Sequence, residues 1–186
     1  MRAQKIDAED LGNKLFETFS LLGYDGASME ALSAATGLKK ASLYHRFPNG
    51  KKEMAQHVLG IVEQWIQDNV IAVSKNKELK PEARLKKVIA SVNQLYHGGS
   101  SNCVLRTLSI GSDADDFQEG ISHCFDLTID GFAHIGRDLG LPADTARKRA
   151  KQINILIQGA LVVSVATREP GVFRNVLAQI PALLTP

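Results

Sequence analysis

The sequence predicts an all-α fold of about nine helices, and three observations predict it. Apolar residues recur at helical spacing along the whole chain, from Leu11, Leu15, Phe19 and Leu22 to Phe173, Val176, Leu177 and Ile180. No stretch sustains the period-2 alternation of a half-buried strand. Of the six prolines only Pro181 falls inside a proposed helix; Pro48, Pro81, Pro142, Pro170 and Pro186 stand at or near helix ends or at the end of the chain.

The first helix covers residues 7–22, with Gly23 as its stop. Arg2 and Lys5 ahead of it are placed to meet a phosphate or groove, and fit a frayed, solvated helix end equally well. Ser28 caps a short second helix whose Met29, Leu32 and Ala35 share a face, and Gly37 ends it. Leu38 turns inward, and residues 39–47 make a third short helix with Leu43 and Phe47 buried at i, i+4; Pro48, Asn49 and Gly50 stop it. A long helix opens at Lys51 and runs through Met54, Val58, Ile61 and Trp65 toward Val73.

Past the polar segment 74–80, Pro81 opens a helix carrying Leu85, Val88, Ile89, Val92 and Leu95. A loop at 97–101 precedes a short apolar segment, 103–110. Acidic residues 112–116 then begin a helix with Phe117, Ile121, Phe125, Thr128, Phe132 and Leu139 as its inward stripe, in which Gly131 and Gly136 mark a close helix approach or a bend. The last two helices cover 143–167 and 172–184, the second ended or kinked early by Pro181.

A chain of 186 residues with 44% hydrophobic and 23% charged residues is an ordinary globular protein of one or two domains. Cys103 and Cys124 are too few for a disulfide framework, and the charged N-terminus has no apolar leader segment. The longest apolar run, 153–166, is broken by Asn154, Gln158 and Ser164 and is shorter than the ~20 residues a bilayer requires. No membrane association and a cytoplasmic location are expected.

The net charge is only +2, yet residues 39–52 hold five cations (Lys39, Lys40, Arg46, Lys51, Lys52) and no acid. The imbalance is therefore local. A short helix showing Lys40, Ala41, Tyr44 and His45 on one side suits a major groove, and the helix start at Lys51 and Lys52 suits a phosphate.

These residues carry a resemblance. Residues 23–29 (GYDGASM), 34–38 (AATGL), 43–48 (LYHRFP) and 50–53 (GKKE) resemble the TetR family of bacterial transcriptional regulators, and the Phe-Pro-x-Gly-Lys ending is similar to its LmrA/YxaF-like branch. The likeness covers roughly the first 60 residues; the rest matches in helix layout and length. It implies an N-terminal helix-turn-helix domain over 1–50 and a C-terminal effector-binding and dimerisation domain over 51–186. It implies that Lys40 and Ala41 approach base edges while Tyr44, His45, Arg46 and Lys51 hold phosphates, with Ser28, Lys39 and Ser42 completing the DNA-contacting set. The chain departs from the family at Lys39, where a Ser or Thr cap is usual, at Arg46, commonly His, and at Ala41, frequently Gly. The Ala41 methyl finds its natural partner in a thymine methyl.

By the same resemblance, Trp65, Tyr96, Cys103, Leu108, Phe117, His123, Phe125, Phe132 and Leu161 line a cavity for a small, mostly apolar effector, with His123 as its polar anchor. A homodimer through the last two helices follows from the symmetry that doubles a short reading helix on a palindromic double-stranded operator. The expected function is a ligand-responsive, nucleoid-associated repressor without cofactor or metal. The alternative is a helical-bundle small-molecule-binding protein or enzyme with no DNA function, although no nucleophile elbow, phosphate loop or metal-ligand spacing is present. Cys103 reads as a buried small hydrophobe or, less simply, as an oxidation sensor.

Overall fold

The computed structural model describes residues 6–186; Arg2 and Lys5 lie outside the described residues. The elements are α1 (Ala8–Gly26), α2 (Met29–Thr36), α3 (Lys40–Arg46), α4 (Lys51–Ile66), a π-helical turn (Gln67–Ile71), α5 (Ala72–Lys75), α6 (Pro81–Leu95), α7 (Val104–Leu108), a 3-10 turn (Ala114–Phe117), α8 (Gln118–Asp138), α9 (Ala143–Thr167) and α10 (Gly171–Leu184). Because α4, the π turn and α5 join end to end, the described residues form nine helical rods and no strand. The fold class is all-α, as expected.

Two compact units divide the chain. One takes in the residues up to Val62 together with Val104–Ile121; the other takes in Glu63–Cys103 and Ser122–Pro186. The α4 helix therefore starts in the first unit and ends in the second.

In the first unit, Asp7 caps α1 by accepting from the Asp10 amide at 2.7 Å. The helix is broken at Gly23 (φ 68°, ψ −177°). The stripe expected to close on Leu22 does not: Leu22 is 43% exposed, and the break turns Tyr24 into the core instead. Tyr24 stacks on Phe19 at 6.4 Å and tilts against Phe117 at 5.0 Å between centroids. Helix α7 packs on α1, where the Thr107 hydroxyl donates to the Phe19 carbonyl at 2.9 Å. Leu32, Leu43 and Met54 complete this core.

In the second unit the π turn leaves the Trp65 carbonyl to be met by the Asn69 side chain, whose amide donates to it at 3.0 Å. Buried Val70 lies on this turn, and α8 comes so close that a Cβ on Gly131 would stand 2.5 Å from Val70 Cγ1. Arg84, unremarked in the sequence, is buried in α6 and donates to the Ser74 carbonyl at 2.6 Å and to Asp138 at 2.8 Å, tying the end of α5 to α8. The inward stripe of α8 differs from the expected one: Cys124, Ile129 and Ile135 are buried, whereas Phe125 and Thr128 are half-buried and Leu139 falls past the helix end. Pro181 neither ends nor sharply shortens α10, which runs on to Leu184. So near the C-terminus a proline forfeits one backbone bond and no more.

By length and mean hydropathy alone the 25 residues of α9 are enough to cross a membrane, contrary to the expectation from the shorter 153–166 run. Its Ala150, Ile153, Ile157 and Leu161 are nonetheless buried, α10 packs along it, and Arg147, Lys148, Arg149 and Lys151 crowd its first half. That is a core helix with a charged flank.

Candidate nucleic-acid interface

Ser28 caps α2 as expected, its hydroxyl accepting from the Ala31 amide at 3.1 Å, and Gly37 closes α2 in the left-handed conformation. The turn to α3 is fixed by the Ser33 hydroxyl on the Leu38 carbonyl at 2.6 Å. Lys39 occupies the cap position of α3 without a side-chain bond, so it holds no orphan amide. Leu43 and Phe47 anchor α3 inward. Lys39, Lys40, Ala41, Tyr44, His45 and Arg46 are exposed, and Ser42 is half-buried.

Two of these cations are restrained by the protein itself. Lys40 pairs with Glu30 of α2, and Arg46 donates to the Ile6 carbonyl at 3.3 Å. A phosphate or base bound there would have to replace those partners. Glu30 was not predicted, although an acid ten residues before the first helical cation is visible in the sequence.

The start of α4 differs more from expectation. Lys51 is half-buried; its ammonium donates to the Tyr24 carbonyl at 2.9 Å and lies 4.0 Å from the centroid of the Tyr24 ring. Its charge thus sits at a fixed point. Glu53 accepts from the Asn49 amide at 2.8 Å, so a carboxylate already occupies part of the helix end where a phosphate was expected. The Asn49-to-Glu53 spacing is the signal that reveals this bond. Lys52 pairs with Asp116 at 2.8 Å. Asp25, close by in sequence, accepts from both the amide and the hydroxyl of Ser112 at 3.2 and 2.8 Å, which hold its carboxyl below its ordinary range.

The residues predicted for the effector cavity fall in both units. Leu108 and Phe117 belong to the first unit, Phe117 being tilted against Tyr24. In the second unit His123 is about half exposed and faces Glu63 at 3.3 Å, Trp65 is half-buried, and Phe132 and Leu161 are packed in the core. Phe125 borders an open groove of about 590 Å³ between α8 and α9, together with Ile129, Asn154, Ile155, Gln158 and Val162.

Tyr96 donates its hydroxyl to Cys103 Sγ at 3.3 Å, and burial, then the neighbouring thiol, raises the phenol well above its ordinary pKa. Among the described residues no cluster of His, Cys, Asp and Glu stands as a metal site. Cys124 is buried and its thiol is pushed up to about 11, first by burial and then by Glu63. At pH 8 about one Cys124 in a thousand is then a thiolate. Iodoacetamide at that pH is expected to leave Cys124 unmodified in the native protein and to label it fully in guanidinium, as read by mass spectrometry; rapid native labelling would contradict the buried placement.

Residues 15–58 match the family described as bacterial regulatory proteins, tetR family. The chain is 24% identical over 170 residues to the HTH-type transcriptional regulator YxaF of Bacillus subtilis, covering 89% of this chain and 88% of that one. To the HTH-type transcriptional regulator LmrA of Bacillus subtilis it is 20% identical over 171 residues, covering 89% and 90%. In fold it resembles the crystal structure of a TetR transcriptional regulator from Legionella pneumophila, with a TM-score of 0.82, 19% identity and 98% of each chain covered.

Proposed function

We propose that the chain is a transcriptional regulator of the TetR family, acting as a homodimeric, ligand-responsive repressor that holds a palindromic operator. Members of the family are DNA-binding regulators and not enzymes, and they work in the cytoplasm; attachment to the nucleoid is part of the proposal. The observation that carries the reading is α3 itself. Seven residues long, it spends Leu43 on the core and turns Lys40, Ala41, Tyr44 and His45 outward beside Lys39. In the proposed complex Lys40 leaves Glu30 for a base edge, and the fixed charge of Lys51 steadies a phosphate.

Dimerisation is supported by the outer face of α9, where Ile155, Val162 and Val163 are exposed and Gly159 has open space around it. An apolar face of this kind is the natural seat of a second copy. Of the apolar stripe Phe173, Val176, Leu177 and Ile180 on α10, Phe173, Leu177 and Ile180 are buried within their own chain and Val176 is half-buried. Val172, Val176 and Leu183, half-buried on the flank of α10, are left for the partner.

The effector is proposed to be a small, mostly apolar molecule bound by the second unit. To act, it must distinguish two states. A preference of about 3 kcal/mol changes operator occupancy more than a hundredfold, and equal affinity changes nothing.

The test is selection of bound duplexes from a random pool at physiological salt, followed by two substitutions. Lys40→Ala is expected to cost about 1–3 kcal/mol on the selected palindrome and to relax its sequence preference. Lys51→Ala is expected to weaken all duplexes alike and to flatten the salt dependence by about one counterion; since it also removes the tie to Tyr24, its melting curve is recorded alongside. An unenriched pool, with both substitutions silent, would sink the assignment.

A further inference from the structure

In the second unit α6 and α10 pack together and enclose a slot of about 540 Å³. Leu85 and Ile89 of α6 and Leu177 and Ala178 of α10 make its walls aliphatic. Lys86 and Arg174 also line it, against the single acid Glu82. Neither cation is in an ion pair among the described residues. Arg174 reaches the Gly98 carbonyl at 3.5 Å, a length at which little is gained.

At the same end of the slot Asn93 buries its side-chain oxygen with no hydrogen-bond partner among the described residues. A Cβ on Gly98 would lie 3.6 Å from Arg174 Nη1 and 4.0 Å from Asn93 Oδ1, so the two groups flank one point. An unpaired buried amide is costly, and a half-turn of the amide offers its N–H₂ in place of its oxygen. Guanidinium and amide together are then a carboxylate clamp at the mouth of an apolar trough.

We propose that the α6–α10 slot binds an amphipathic carboxylate, its hydrocarbon chain lying along Leu85, Ile89 and Leu177 and its head held by Arg174 and Asn93. Burial of the chain supplies the affinity, and the surplus of cations selects the charge. None of Trp65, Tyr96, Cys103, Phe132 or Leu161 lines this slot. At 3.6 residues per turn, Arg174, Ala178 and Pro181 fall on the flank of α10 opposite Val172, Val176 and Leu183. A dimer formed through that second flank leaves the slot open.

The probe is decanoate, titrated into the full chain by calorimetry, with decyltrimethylammonium as the opposite-charge control. Saturable binding of one decanoate per chain is expected. Arg174→Ala, at an exposed position, is expected to weaken it roughly tenfold or more, and Ala178→Trp to abolish it by filling the trough, both with an unchanged melting curve. The proposal is overturned by absent or non-saturable binding, by equal affinity for the cationic amphiphile, or by full affinity in both variants. Duplex binding is measured separately, so failure here leaves the operator reading standing.

Discussion

Ile155→Glu is expected to give a folded monomer that no longer holds a palindromic duplex. Ile155 is 72% exposed on α9, in line with Val162 and Val163. Exposed substitutions of this kind change the stability of a chain by no more than about 0.5 kcal/mol. In a two-fold interface the new carboxylate meets the same surface of the second copy and loses water on both sides, at several kcal/mol. Loss of the dimer leaves one recognition helix on one half-site. Operator affinity is expected to fall by about a hundredfold or more, since half the base contacts go with the partner. Sedimentation velocity and duplex titration on the same sample check both halves. A persistent dimer would place the seam elsewhere, and a wild-type monomer with full palindrome affinity would remove the need for one.

Gly99→Ala is expected to destabilise the chain by about 3 kcal/mol or more, read as a lower urea midpoint. Gly99 has φ +99°, where a side chain is strained whatever the space. The space is also missing: its Cβ would stand 2.5 Å from Phe173 Cβ and 2.9 Å from Ser164 Oγ. That same hydroxyl donates to the Gly99 carbonyl at 2.9 Å, so the loop between α6 and α7 is riveted to α9 and α10 at one residue. Gly60→Ala is the contrast. Gly60 lies inside α4 with open space around it, and the change is expected to stabilise by up to about 1 kcal/mol. Equal effects at the two sites would refute the packing argument.

The elements were legible because their signals are local. A cap at Ser28, a stop at Gly37, a proline opening α6 and an i, i+4 pair at Leu43 and Phe47 are each written within a few residues, and the structure has each of them. The outward set of α3 could be named for the same reason: once a seven-residue helix spends Leu43 on the core, its other face is fixed by 3.6-residue geometry. The position of Lys51 within the basic block was equally visible.

What Lys51 touches was not. Its charge is fixed by Tyr24, 27 residues earlier, which is inward only because Gly23 breaks α1 at that point. Leu108 and Phe117 look like any other core apolar residues in sequence, and tertiary contact alone assigns them to the unit of α1. Phe173, Val176, Leu177 and Ile180 read as one apolar stripe, and their own chain buries all but Val176, which stays half-buried. Hydrophobic periodicity shows that a face is buried, not against what. By itself the sequence determined the helices, their order, the all-α class and the exposed basic face of α3. The tertiary structure alone decided which restraints hold Lys40, Lys51 and Arg84 and which apolar surface stays open, because pairing across tens of residues is set by packing that no local pattern encodes.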